Sequence, residues 1–223
     1  MPETYCLSDI HGCYLTLQAI LKRMNVKNND NLLILGDVVD RGPRIKEVLD
    51  FLLGRPNTTL LMGNHEFSFI EYTLEPDGYA QHRFMWRQGL SQTYDQLGVE
   101  VREYAKRLAD LPYVAHDESG KYVFTHSTYN WHEDEQFDPM LHLWERPFED
   151  WEIQRTYGDY TGPIVVHGHT PAPSGSRYME YIGDKLIGIN LDGGGCFGHG
   201  TPGACLRSMR VSDGMIFEEP YCD

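Results

Sequence analysis

The stretch "CLSDIHGCY" (residues 6–14) places Asp9 and His11 directly after a short apolar run. The run "YCLS" (5–8) predicts a buried strand, and the apolar spacing of residues 15–24 predicts a helix after it. A polar pair at one strand end is common in folded proteins, since a turn alone explains it. Such a pair marks a functional site only if other strand ends supply partners for it.

Strand and helix patterns alternate in the first third of the chain, which is typical of α/β proteins. Further strands are predicted at "NLLILG" (31–36) and "TTLLMG" (58–63), with an amphipathic helix at 45–53 between them. A helical insertion is expected at about 80–110. Later strands are predicted at residues 112–116, 121–126, 163–168, 177–183, 185–191 and 204–211. We expect one domain over residues 1–223, built as an α/β sandwich of two sheets with helices outside.

Composition and charge exclude several classes of function. The formal net charge of −14 at pH 7 argues against binding to nucleic acid or to anionic membranes, which need a basic face. No apolar run approaches the roughly 18 residues of a membrane-spanning helix, and "MPETYCL" lacks a secretory signal pattern. The 5 cysteines show no CxxC spacing, which argues against a disulfide framework. We expect a cytoplasmic protein, in which an anionic substrate would need a local cation such as a bound metal.

Five predicted strand ends each carry side chains that can bind a metal ion. In chain order they carry Asp9 and His11, Asp37 and Asp40, Asn64 and His65, His126, and His167 and His169. Any one of these segments has a simple structural explanation, because short patterns often arise by chance. In open α/β sheets, however, the carboxyl ends of strands meet at the edge where ligands bind. Five such ends in one chain favour a metal centre.

The chemistry of these side chains fits a pair of metal ions. Carboxylate oxygens and imidazole nitrogens suit Mn²⁺, Fe or Zn²⁺ better than Ca²⁺ or Mg²⁺. Two ions about 3.5–4 Å apart can activate a water and hold the oxygens of an in-line phosphoryl displacement. Arg41 in "GDVVDRG" and Arg146 in "LWERP" can bind phosphate through bidentate guanidinium contacts. An imidazole beside the metals would serve as the general acid.

The ordered motifs "SDIHG", "GDVVDRG", "GNHE", "THS" and "HGHT" resemble those of the calcineurin-like metallophosphoesterases. Within that superfamily the match is to the phosphoprotein phosphatase branch, and the chain looks most like the small phosphatases of the bacteriophage lambda type and their bacterial relatives. The motifs extend from residue 8 to about residue 170. The resemblance implies a four-layer α/β/β/α sandwich with two mixed sheets.

The resemblance also implies a role for each motif residue. It implies metal ligands at Asp9, His11, Asp37, Asn64, His126 and His169, of which Asp37 would bridge two divalent ions, first of all Mn²⁺, with Fe or Zn²⁺ as alternatives. His65 would donate a proton to the leaving oxygen, and Asp40 would orient it. Arg41 and Arg146 would bind the phosphate. A metal-bound water or hydroxide would attack phosphorus directly, without a phospho-enzyme intermediate.

Three positions depart from the family pattern, and none of them removes a ligand. Ser8 replaces the usual glycine before Asp9, Ser127 replaces a small residue after His126, and Met62 stands where many relatives have arginine. We expect only a slight local change at Ser8, a hydroxyl near the second metal at Ser127, and one cation fewer at Met62. His167 should alternate away from its neighbour His169, which suggests a supporting role.

The substrate is less well specified than the chemistry. The first expectation is a protein serine/threonine phosphatase, with phosphotyrosine as a further substrate, acting on a phosphorylated protein or peptide or on a small phosphoester. An alternative is a symmetrical bis(5'-nucleosyl)-tetraphosphate hydrolase, because known hydrolases of this class share the same motifs. A non-catalytic binding module is a remote alternative, since such a protein would be expected to have lost ligands or His65.

Overall fold

Two five-stranded sheets form the centre of the protein. A computed structural model describes residues 2–74, 89–129, 139–146 and 161–223. The strands are β1 (Thr4–Leu7), β2 (Asn31–Ile34), β3 (Thr58–Leu60), β4 (Val114–His116), β5 (Tyr122–Thr125), β6 (Ile164–His167), β7 (Met179–Ile182), β8 (Lys185–Asn190), β9 (Cys205–Arg210) and β10 (Met215–Pro220). The helices are α1 (Tyr14–Arg23), α2 (Ile45–Gly54), α3 (Asn64–Leu74), α4 (Ser91–Leu97), α5 (Val101–Leu108) and α6 (Pro139–Trp144).

Both sheets combine parallel and antiparallel pairs. The first has the order β10-β9-β1-β2-β3, in which β1, β2 and β3 are parallel and β9 is antiparallel to both of its neighbours. The second has the order β4-β5-β6-β8-β7, in which β5, β6 and β8 are parallel. Its outer strands β4 and β7 are antiparallel to their neighbours. The expected α/β fold with two mixed sheets is therefore confirmed.

The two faces of the first sheet pack against different layers, because successive side chains of a strand point to opposite sides. On one face, Cys6 and Leu33 pack with Phe124, Val166 and Ile189 of the second sheet, so the sheets share one apolar core. On the other face, apolar residues of α1 to α5 cover the sheet. Burial on both faces explains why β1 and β2 are nearly continuous apolar runs.

The connection from β1 to α1 shows how the sequence shapes the site locally. Gly12 has a φ of +66°, and a Cβ there would lie 2.7 Å from a side-chain carbon of Ile45, so the tight turn requires glycine. Helix α1 then buries Leu17, Ile20 and Leu21 at helical spacing. The apolar face of α1 thus anchors the loop that carries the first polar pair.

The structure contains one strand that was not predicted and shows two helices in the described part of the predicted insertion. Strand β10, which the sequence analysis did not predict, pairs with β9 along its whole length. Its side chains are mostly half-buried, as expected at a sheet edge, so it lacks the continuous apolar pattern of β1 and β2. The described part of the expected insertion at about 80–110 contains α4 and α5, and residues 80–88 lie outside the described residues. None of the helices described is long and apolar enough to cross a membrane.

Candidate active site

The candidate site lies at the carboxyl ends of β1, β2 and β3, where the ends of β5 and β6 also arrive. The structure brings together all six predicted metal ligands, which are Asp9, His11, Asp37, Asn64, His126 and His169. All but His169 are buried, and His169 is partly exposed. Segments more than one hundred residues apart in sequence therefore converge on one small polar centre.

Unusual backbone conformations are concentrated in these loops. A positive φ, which residues other than glycine seldom adopt, occurs at eight such residues of the described chain. They are Asp9, His11, Asn25, Asp37, Asp40, Arg41, Asn57 and His169. Six of the eight are candidate site residues. Each such conformation costs about 1–3 kcal/mol and persists only where the surroundings hold it, so the loops are shaped by the site rather than by local preference.

Asp37 lies between two groups of possible metal ligands. In one group its Oδ2 is 3.4 Å from His11 Nε2, and in the other its Oδ1 is 3.4 Å from His126 Nε2. Asn64 Oδ1 is 2.9 Å from His126 Nε2 and 3.1 Å from His169 Nδ1, which places the amide oxygen in the second group. The two oxygens of one carboxylate thus face two ligand sets, as a bridging ligand would.

Two backbone carbonyls orient the histidines for metal binding. His11 Nδ1 is 2.7 Å from Val39 O, and His126 Nδ1 is 2.8 Å from Leu35 O. Because a carbonyl oxygen only accepts hydrogen bonds, each Nδ1 carries the proton and each Nε2 directs a lone pair into the centre. Metal-bound histidines are oriented in the same way in proteins. These donors therefore fit divalent ions.

The ionisation of the centre also favours a cation. Burial, together with the neighbouring Asp37 carboxylate, raises the pKa of Asp9 to about 7. Burial lowers the pKa of His11 to about 4 and that of His169 to about 3, so both imidazoles are neutral. Burial alone would raise the pKa of Asp37, but His126 and His65 hold it well below its usual range. Neutral imidazoles around close carboxylates are the protonation state that metal binding requires.

His65 and Asp40 form a buried pair beside the ligands. His65 Nδ1 donates to Asp40 Oδ2 at 2.6 Å, while His65 Nε2 lies 3.9 Å from Asp37 Oδ2. Burial lowers the pKa of His65, but the carboxylates of Asp37 and Asp40 outweigh it, so the pKa is raised overall. An imidazole whose pKa is raised and that is held by a carboxylate can act as a general acid.

The Thr93 hydroxyl contacts the Asp40 carboxylate oxygen that His65 does not bind, and no sequence pattern predicted this role. Its hydroxyl donates to Asp40 Oδ1 and accepts the Asp40 N–H at 3.0 Å. Thr93 is fully buried in α4, and 53 residues separate it from Asp40. No motif marks it, because a single threonine on an amphipathic helix carries no recognisable pattern.

The two predicted phosphate-binding arginines lie at different depths. Arg41 reaches the centre, where its Nη1 is 2.8 Å from His11 Nε2 and its Nη2 is 2.9 Å from His65 Nε2. Arg146 is exposed, and its Nη1 lies 3.4 Å from the hydroxyl oxygen of Thr170. One guanidinium is therefore inside the site and the other is at its rim.

Glu66, the last residue of the motif "GNHE", supports the loop after β2, a role that the motif alone did not predict. Its fully buried carboxylate accepts four backbone N–H groups. They belong to Asp37 at 2.7 Å, Val38 at 2.9 Å, Val39 at 3.1 Å and Gly63 at 3.1 Å. A Cβ at Gly63 would lie 2.6 Å from Glu66 Oε2, so only glycine permits this approach.

The departures from the family pattern have simple structural consequences. The Ser8 hydroxyl donates to Asp9 Oδ2, so the serine adds a hydrogen bond to a candidate ligand. The Ser127 hydroxyl donates to the backbone oxygen of Glu145, next to Arg146, and so supports the rim. Met62 is buried. His167, for which the sequence predicted a supporting role, pairs with a carboxylate: its Nε2 lies 3.1 Å from Glu180 Oε2.

Comparison with known proteins agrees with this geometry. Residues 3–194 match the model of the calcineurin-like phosphoesterase family. The chain belongs to this family. Members of this family are metallophosphoesterases, a class of hydrolases that typically binds two metal ions.

The individual proteins compared next have 30% sequence identity to this chain or less. A protein named symmetrical bis(5'-nucleosyl)-tetraphosphatase from Coxiella burnetii is 30% identical over 128 residues, which cover 56% of this chain and 41% of the relative. The match thus spans about two fifths of that relative's length. A solved structure of a candidate diadenosine tetraphosphatase has a TM-score of 0.70 and 19% identity, and covers 100% of this chain and 97% of its own. A solved structure of a serine/threonine phosphatase from Saccharomyces cerevisiae has a TM-score of 0.65 and 15% identity, and the match covers 100% of this chain and 81% of that one. Both structures share the fold.

Proposed function

We propose that this protein hydrolyses phosphate esters or anhydrides by direct attack of water, with two divalent metal ions. The observation that carries the proposal is Asp37, whose two oxygens face two separate ligand sets. Asp9 and His11 would hold one ion, and Asn64, His126 and His169 the other, with Asp37 shared. When bound, the ions would neutralise charge on the phosphoryl oxygens and lower the pKa of a bound water. The nitrogen and oxygen donors suit Mn²⁺, Fe or Zn²⁺, of which we propose Mn²⁺ first.

The protein's own groups would supply the remaining parts of the reaction. Arg41 would donate hydrogen bonds to the phosphoryl oxygens, since its guanidinium already reaches the centre. The attacking water would form a new P–O bond as the bond to the leaving oxygen breaks, and the proton that this water loses would pass to solvent. His65 would give its Nε2 proton to the leaving oxygen, while Asp40 holds the Nδ1–H and stabilises the protonated ring.

For the substrate, we propose symmetrical dinucleoside tetraphosphates first. The support is the name of the curated relatives that match the chain at 30% identity or more. The second candidate is a phosphoserine or phosphothreonine protein, as the motif resemblance predicts. The motif series is common to both substrate classes, so the choice depends on what surrounds the centre.

A substrate panel tests the proposal. The metal-free protein would be assayed with and without Mn²⁺ on diadenosine tetraphosphate, a phosphoserine peptide and 4-nitrophenyl phosphate. We expect Mn²⁺-dependent turnover and cleavage of the dinucleotide to two nucleoside diphosphates. Turnover of the peptide without cleavage of the dinucleotide would establish the second candidate. A protein that binds Mn²⁺ but hydrolyses none of the three would be a binding module, and the proposal would be wrong.

A further inference from the structure

An exposed aromatic side chain lies beside Arg41, the half-buried arginine of the site. Phe197 lies in the short 3₁₀ segment Gly195–Gly200, within the glycine-rich connection between β8 and β9. It is 46% exposed, although most large apolar side chains of the described chain are buried. Its ring centroid is 5.5 Å from the Arg41 guanidinium carbon. Arg41 in turn contacts two site histidines, so the ring borders the centre.

Hydrogen bonds hold the backbone of the loop that carries this ring. Asp192 Oδ1 accepts the Gly194 N–H at 2.8 Å, and the Phe197 N–H donates to Gly194 O at 3.0 Å. The Cys205 N–H donates to Gly193 O at 3.0 Å, and a Cβ at Gly193 would lie 2.6 Å from Cys205 Sγ. The loop backbone is therefore bound closely to β9. Because the backbone is held and the Phe197 side chain is 46% exposed, part of the ring is accessible to a ligand.

We propose that Phe197 is a stacking platform for a flat aromatic group carried by the substrate, either a nucleobase or the phenol ring of a phosphotyrosine. This inference rests on the proposed function, because Arg41 must hold the phosphate of the same substrate. Aromatic faces bind bases without sequence preference, since every base has a π-face. A cation over one face of the ring fits this arrangement, because the guanidinium can contact that face and the phosphate together, which leaves the other face for the aromatic group. A substrate without a ring would gain nothing from Phe197.

Substitution at Phe197 with matched substrates tests the proposal. Phe197→Leu keeps apolar volume and removes the π-face, whereas Phe197→Tyr keeps both. The substrates are diadenosine tetraphosphate, 4-nitrophenyl phosphate and glycerol 2-phosphate, which has no ring. Tyr181→Leu is the control, because Tyr181 is a 40% exposed aromatic residue of β7, which supplies no candidate site residue.

We expect Phe197→Leu to raise KM for a ring-bearing substrate by about 5- to 100-fold, the range of base–aromatic stacking, with kcat nearly unchanged. KM for glycerol 2-phosphate should stay as in the wild type. In Phe197→Tyr, KM for the aromatic substrates should return to the wild-type value. If KM rises only for the dinucleotide, the group that stacks on Phe197 is a nucleobase. If KM rises only for 4-nitrophenyl phosphate, it is a phenol-type ring. An equal rise for all three substrates, or no rise for any, would overturn the inference.

A binding measurement separates this inference from the proposed function. Calorimetry on the Mn²⁺-loaded protein would compare adenosine 5'-monophosphate with inorganic phosphate. Phe197→Leu should weaken binding of the nucleotide and leave binding of phosphate unchanged, even if the wild-type protein turns over no substrate. Equal weakening of both ligands would mean that Phe197 only supports Arg41, and the stacking role would be rejected.

Discussion

The two sides of the candidate centre are held in different ways. The first-sheet side, formed by the loops after β1, β2 and β3, supports itself, because Glu66 accepts four N–H groups from the same part of the chain. The second-sheet side, formed by the residues after β5 and β6, depends on the first. His126 donates to Leu35 O at the end of β2, and the His169 N–H donates to the Asp9 carboxylate at 3.1 Å.

This difference suggests a division of work. The first-sheet side contains the carboxylate proposed to be shared, the proposed acid and the half-buried Arg41, so we expect its rigidity to matter for the chemical step. The second-sheet side contributes candidate ligands whose orientation depends on contacts with the first side, and an exposed arginine at the rim. We expect changes on the first side to reduce kcat and changes at the rim to raise KM.

The largest effect is expected on the first-sheet side, from His65→Asn. Loss of the proton donor should lower kcat by about 10²- to 10⁴-fold, the usual contribution of a general acid. The loss should be smaller for 4-nitrophenyl phosphate than for a phosphoserine peptide, because nitrophenolate leaves without a proton. Steady-state kinetics would measure this. Metal content should match the wild type, and an unchanged kcat on both substrates would remove His65 from the mechanism.

Glu66→Gln tests whether the first-sheet side supports itself. The new amide group would face backbone N–H donors and leave some without an acceptor, which should lower the free energy of unfolding by about 1–3 kcal/mol. Urea unfolding of the metal-free protein would measure the loss. The control is Glu47→Gln, because Glu47 is exposed and forms a surface ion pair with Arg44. If both variants unfold alike, Glu66 does not hold the loop.

Thr93→Val tests whether a positioning residue of the first-sheet side affects kcat. The isosteric change removes the hydroxyl that fixes Asp40, so kcat should fall by about tenfold, as for other groups that orient catalytic ligands. KM should change little, and Thr93→Ser should recover most of the activity. A merely structural threonine would instead give lower stability with the same kcat in the folded protein.

The smallest effect is expected at the rim, from Arg146→Lys. A lysine keeps the charge but loses the planar fork that binds two phosphoryl oxygens. Because the side chain is exposed, KM should rise only about 2- to 5-fold, in line with the weak energetics of exposed charges. A loss of kcat comparable to that of Thr93→Val would contradict the proposed division between the two sides.

Local patterns predicted much of the first-sheet side. Apolar runs of four to six residues followed by polar motifs predicted β1, β2 and β3 close to their observed bounds, because burial on both faces leaves a strong signal. Strand β10 was missed because its side chains are half-exposed at a sheet edge. Thr93 and Phe197 were missed because their roles come from contacts with Asp40 and Arg41 across long sequence separations.

The sequence by itself determined the donor types, their order along the chain and the strand ends on which they lie. Residue spacing and apolar periodicity are local properties, so they can be read along the chain. Only the tertiary structure decided that Asp37 faces two ligand sets, that Leu35 orients His126, and that Phe197 borders Arg41. These arrangements follow from packing one sheet on the other, which depends on the shape and volume of many distant side chains together.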